Sequence, residues 1–186
     1  MTTSTTSKPG LGTALRRIYL TRAAFAVIWA VVLFLTAPAP NPLLTVLLVL
    51  YPLVDAGAVF LQIRAEGQAR GPRPAELGNV VLSVLAAIAL GWASTISAAA
   101  VLVAWGVWAI VSGLAQLIAA ILRRSSGGQV PLMISGAISV LAGAAFATQG
   151  LQGGTVVVGV GGYAILGGIF FLVAGIRLSI LQRKAS

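Results

Sequence analysis

The chain has 186 residues, 59% of them hydrophobic and only 8% charged, with a mean hydropathy of +1.03. A water-soluble domain keeps roughly 25% of its residues charged to wet its surface, so lipid must solvate most of this chain. The formal charge of +9 does not mark a nucleic-acid binder, because the Lys and Arg flank apolar runs instead of forming one continuous face. With neither Cys nor His present, disulfides, thiolate nucleophiles, haem attachment and the usual zinc sites are excluded, and no cofactor is expected.

Residues 1–12, rich in Thr and Ser, read as a disordered cytoplasmic tail. The first apolar run follows Arg16 and Arg17 and continues to about Thr36, where Pro38, Pro40 and Pro42 predict an uncharged turn. A cleaved signal peptide is disfavoured there, because the run is long for one and prolines crowd the cut site. The second run covers about Leu43 to Ile63, and the segment from Arg64 to Glu76 reads as a polar loop. A third run, about Leu77 to Ala93, is parted from the fourth, about Ala98 to Leu122, by a few residues around Ser94 to Ser97. Ser125 to Gln129 form the next turn. A fifth run spans about Pro131 to Thr148, Gln149 to Gly154 make an uncharged turn, and a sixth run spans about Thr155 to Leu181.

Each run approaches the ~20 residues that a helix needs to cross the hydrocarbon. Transmembrane β-strands would instead show alternating segments of ~10 residues. The expected fold is therefore all-α: an integral membrane bundle of six transmembrane helices over residues 13–182. Most of the basic residues gather in the N-terminal tail and helix start, the 64–76 loop, the 123–129 loop and the C-terminal tail, whereas the three intervening turns carry none. By the positive-inside rule both termini are expected in the cytoplasm, and the location is the cell (inner or plasma) membrane.

An internal repeat is also present. Ser83-Val84-Leu85-Ala86 recurs as Ser139-Val140-Leu141-Ala142, displaced by 56 residues, and Trp108-Ala109-Ile110-Val111-Ser112-Gly113 answers to Tyr163-Ala164-Ile165-Leu166-Gly167-Gly168, displaced by 55. Tyr51-Pro52-Leu53-Val54-Asp55-Ala56 has the same pattern: an aromatic residue, a small or polar residue one turn later, then an apolar stretch ending in Arg. The unit is a helical hairpin, and three copies are expected at about 13–64, 76–123 and 131–182. Copies holding two spans each share one orientation, related by an axis along the membrane normal, unlike the inverted repeats of many transporters.

These hairpins, with their aromatic-x-x-x-small pattern and terminal Arg, resemble the HdeD-like membrane proteins over roughly residues 20–182. The resemblance implies a membrane hairpin fold and a link to acid resistance, with no established reaction. The first unit departs from the pattern, since Pro52 and Asp55 stand where apolar and small residues are expected.

Among candidate site residues, Asp55 is the most informative. It lies 9 residues before Arg64, about 13 Å deeper at 1.5 Å per residue. An ionised carboxylate at depth is costly and often functional, and Arg22 on the neighbouring span can reach it. The expectation is an intramembrane Arg22–Asp55 ion pair that joins helices one and two. Gln116 is the other strongly polar side chain expected inside a span. Tyr51, Trp108 and Tyr163 fall near mid-helix, and with Ser112 and Gly167 they are expected as repeat packing positions. Stripes of small residues, Ser135, Ser139, Gly143 and Ala147 in the fifth span and Gly159, Gly167 and Gly175 in the sixth, allow close helix packing or homo-oligomer formation. Trp92 suits an interfacial belt. Arg123-Arg124 and Arg183-Lys184 read as topology anchors at the lipid headgroups. Glu66 and Glu76 read as loop residues too far from Asp55 for carboxyl-pair catalysis, and no enzyme is expected. The partner is the lipid bilayer, with no nucleic acid. The functional expectation is a structural or stress-related membrane protein, the alternative being a small transporter or channel component that uses Asp55.

Overall fold

A computed structural model of the chain describes residues 10–36, 42–66, 74–124 and 129–185. Among these residues there are six helices and no strand: α1 (Leu11–Thr36), α2 (Pro42–Glu66), α3 (Pro74–Ile96), α4 (Ala98–Leu122), α5 (Gln129–Leu151) and α6 (Gly159–Ala185). All six are long and apolar enough to cross a membrane. The chain is a multi-pass membrane protein.

Several boundaries move from the sequence expectation. Arg64–Glu66 continue α2 and Pro74–Glu76 begin α3, so both ends of the expected 64–76 loop are helical. Glu76 in the first turn of α3 suits the positive end of the helix dipole, and Pro74 opens that helix, where its missing N–H is not needed. Helix α3 runs on to Ile96, leaving Ser97 as the sole residue between α3 and α4. Ser97 caps α4, its hydroxyl accepting from the Ala100 N–H at 3.1 Å. The turn after α5 is closed by Gly154 N–H donating to the Gln149 carbonyl at 2.9 Å, with Gly153 at φ 79°, a conformation that glycine adopts without strain. The turn around Pro38 and Pro40, the middle of the 64–76 loop and most of the 123–129 loop lie outside the described residues.

Every helix packs on its neighbours in chain order, and α6 packs back on α1, so the six close into a ring. The run is antiparallel: Thr45 at the start of α2 bonds Ser94 near the end of α3 at 3.0 Å, while Arg123 at the end of α4 meets Glu76 at the start of α3. One end of the ring therefore carries Arg16, Arg17, Arg64, Arg124 and Arg183. We call it the basic end and the other the far end.

The broadest seams are α4/α5, α1/α6 and α2/α3, which lie between the expected hairpins instead of within them. Glycine sets the first. A Cβ on Gly106 would come within 2.5 Å of the Gly143 carbonyl oxygen, and one on Gly143 within 2.6 Å of the Gly106 carbonyl oxygen. With no hydrophobic drive between helices in lipid, such backbone contact is what holds a seam together. On α6 the residues facing α1 are Gly161, Gly168 and Gly175, packed on Phe34, Ala26 and Leu20, so the expected Gly159–Gly167–Gly175 stripe is displaced.

The outer surface is apolar, with Leu35, Ile88, Trp92 and Leu141 among its most exposed side chains. The core at the far end joins Trp29, Leu33, Leu48, Leu90, Leu102, Trp105 and Val160. A ring of six helices leaves an axial space wider than two facing Leu side chains can fill, and here large aromatics occupy it. Toward the basic end that filling stops.

Candidate functional site

An internal cavity of about 70 Å³ lies on the ring axis and takes side chains from all six helices. Helices α2, α4 and α6 each contribute one stripe spaced by four residues, which keeps its members on one helix face: Tyr51, Asp55 and Val59; Trp108, Ser112 and Gln116; Tyr163, Gly167 and Phe171. Helices α1, α3 and α5 contribute Tyr19 and Arg22, Glu76 and Asn79, and Leu132, Ser135 and Ser139.

Aromatic rings roof the cavity on its far side. Tyr51 lies 4.6 Å from Trp29, 5.3 Å from Trp105 and 5.8 Å from Trp108 between ring centroids, and Trp105 meets Tyr163 edge-on at 6.3 Å. Edge-to-face and tilted contacts of this kind favour aromatic pairs beyond the area they bury. Two rings also hold serines: Trp108 Nε1 donates to Ser83 Oγ, and Tyr163 Oη to Ser139 Oγ, both at 3.0 Å. Trp29 Nε1 donates to the Leu47 carbonyl at 2.7 Å.

One turn below the roof sits Asp55. Its Oδ1 accepts from Arg22 Nη2, and its Oδ2 accepts from Asn79 Nδ2 at 2.9 Å and Ser83 Oγ at 3.1 Å. Trp108, Ser83, Asp55 and Arg22 thus form one hydrogen-bonded chain across α4, α3, α2 and α1. The Arg22 guanidinium rests 3.9 Å above the Phe171 ring, which holds it from α6. The pair is not sealed: 13% of the Arg22 side chain and 11% of that of Asp55 remain accessible. Both line the main cavity and a smaller lobe between α1, α2 and α6. Arg22 makes no second hydrogen bond among the described residues, and the buried Asn79 Oδ1 has no partner among them.

Nearer the basic end, Arg123 is buried at the close of α4. It meets Glu76 of α3 through Nη2 and Glu66 of α2 through Nε at 3.3 Å, and the Gln62 amide, with its oxygen turned to the guanidinium, accepts from it as well. Gln116 Nε2 donates to the Leu132 carbonyl at 3.0 Å and ties α4 to α5.

Several expectations are corrected by this arrangement. Glu66 and Glu76 are helical and buried, not solvated loop residues, because Arg123 turns inward to meet them. Arg123 is accordingly no headgroup anchor, while its neighbour Arg124 is exposed. Gln116 is joined inside the spans by Asn79 and Gln62, which are buried. Tyr51, Trp108, Ser112, Tyr163 and Gly167 all face the cavity, and so do Ser135 and Ser139 of the fifth-span stripe. A Cβ on Gly167 would meet no atom within 4 Å. Trp92 projects from α3 into the surroundings. No group of three or more metal-ligating acids occurs among the described residues.

Residues 79–148 match the model of a family described as a short repeat of unknown function (DUF308). The matched stretch runs from Asn79 in α3 through α4 to Thr148 in α5, so it contains Ser83, Trp108, Ser112, Gln116 and Arg123 and leaves out Arg22 and Asp55. Neither a curated protein nor a solved structure matches the chain.

Proposed function

We propose that the protein binds a small polar solute in the axial cavity, as a small transporter or the solute-binding component of one. The observation that carries this reading is a cavity on which charged, amide and hydroxyl side chains converge, inside a ring otherwise packed with apolar side chains. Polar groups in lipid are expensive unless they are paired. A bundle that served only as scaffold would have an axis filled with large apolar side chains throughout, as its far half is with Leu and Trp. Polar, convergent side chains in a concave site are the mark of ligand binding.

Three hairpins related by an axis along the membrane normal account for the cavity's composition. Arg22, Asn79 and Ser135 are spaced by 57 and 56 residues, Tyr51, Trp108 and Tyr163 by 57 and 55, and each set supplies one wall residue per hairpin. In this reading the basic end faces the cytoplasm of a cell membrane with both termini inside, as the Arg residues gathered there favour. The role is binding or passage, not catalysis.

The test is thermal unfolding of the purified, detergent-solubilised protein against a panel of small ions, amino acids, amides and polyols. A ligand that binds only the folded state raises the melting temperature with concentration. We expect at least one panel member to do so for the native protein and not for Gly167→Leu, which fills the cavity. A panel without effect, or an equal effect on both proteins, contradicts the proposal.

A second reading is favoured by the complete hydrogen bonding of Asp55: a structural or acid-stress membrane protein of the HdeD-like kind, whose polar chain serves to hold α1, α2, α3 and α4 together. Unchanged membrane integrity and acid tolerance in a deletion strain would count against it.

A further inference from the structure

Resting on the solute-binding reading, we propose that the cavity takes a compact zwitterion bearing both an ammonium and a carboxylate, of the size of the smallest α-amino acids. Charge balance limits what the cavity can hold. Arg22 and Asp55 form a neutral pair that lines the cavity, and both side chains are partly accessible. A ligand with net charge entering beside that pair would leave one buried charge without compensation, which is strongly unfavourable. A zwitterion adds none. It also answers the pair pole for pole.

The unfilled hydrogen-bonding capacity points the same way. A guanidinium offers five N–H donors, and Arg22 places one hydrogen bond among the described residues, on Asp55. Asn79 is 5% exposed, its Nδ2 is held by Asp55, and its Oδ1 is an acceptor without a partner among the described residues. Spare donors and a spare acceptor thus flank the same carboxylate. The first suit a ligand carboxylate, the second a ligand ammonium. The ammonium would lie beneath Tyr51 and Trp108, whose rings attract cations. A volume of about 70 Å³ admits a solute of about five heavy atoms, and the bare Cα of Gly167 opposite leaves that space clear.

The test is equilibrium binding of radiolabelled glycine to the purified full-length protein in lipid nanodiscs, with methylammonium, acetate and urea as competitors. Saturable glycine binding is expected, with each competitor at least tenfold weaker, and Gly167→Val should weaken glycine at least tenfold while the protein still elutes as a folded species. Two charge variants separate recognition from mere structure. Asp55→Asn leaves Arg22 as an unbalanced cation and should turn the preference toward acetate, whereas Arg22→Gln leaves Asp55 unbalanced and should turn it toward methylammonium. If both variants fail to fold, the native competition series and Gly167→Val decide alone. Methylammonium, acetate or urea binding the native protein as tightly as glycine overturns the zwitterion assignment and leaves the solute-binding reading standing. No binding of any of the four overturns the assignment too, and the thermal-unfolding panel then decides whether that reading survives with another solute.

Discussion

The two halves of the ring solve the same packing problem in different ways. Toward the far end the axis is closed by Trp29, Leu33, Leu48, Leu102, Trp105 and Val160, whose side chains are almost wholly buried. Toward the basic end four of the same helices, α1 to α4, present Arg22, Asp55, Asn79, Gln116 and Arg123 to a cavity. The far half is held by volume, so removing atoms there should cost stability in proportion to the space left. The basic half is held by compensation, so what matters there is whether a charge is left alone. A polar axis in lipid is kept where buried charges face opposite ones: Arg22 meets Asp55, and Arg123 lies between Glu66 and Glu76.

That contrast can be broken most forcefully at Arg123. Arg123→Met leaves Glu66 and Glu76 buried beside a lost cation and should lower stability by about 3–5 kcal/mol, read as unfolding of the detergent-solubilised protein. Trp105→Ala, with no charge involved, should cost a similar ~3–5 kcal/mol by emptying the aromatic roof. The two mechanisms separate in the paired replacement of Arg22 and Asp55 by Leu. Each single change should be more damaging than both together, because the double variant strands no charge, and additive losses would contradict compensation. At the small end, Trp29→Phe removes the hydrogen bond to the Leu47 carbonyl and should cost about 1 kcal/mol.

How much of this could be read from the sequence follows from what each residue advertises. The six spans are legible because continuous apolar runs have one physical meaning in a chain with so little charge. Asp55 and Arg22 stand out as charges within such runs. Asn79 and Ser83 do not, although with Glu76 they sit three and four residues apart and so share a face of α3. That spacing was the available signal. Glu66 and Glu76 border a stretch rich in Gly, Pro and Arg, where an acid ordinarily meets water. The antiparallel return of α4 along α3 brings Arg123 to Glu76, 47 residues away in the chain, and the packing of α2 on α3 adds Glu66. The stripes of small residues have a similar ambiguity: Gly143 packs on α4, while Gly167 opens onto the cavity, and spacing alone cannot separate a seam from a hollow.

If the basic half of the ring holds a polar space that water-borne solutes enter while the far half is packed shut, cysteines placed in the two halves will differ in reactivity. Because the chain has no Cys, single cysteines report cleanly. Ser112→Cys and Gly167→Cys in the cavity, and Leu102→Cys in the far core, can each be exposed to a small, polar thiol reagent without net charge in membranes accessible from the basic end. Rapid modification is expected at 112 and 167 and none at 102. Cavity cysteines as inert as that at 102, in protein shown to be folded, would contradict it.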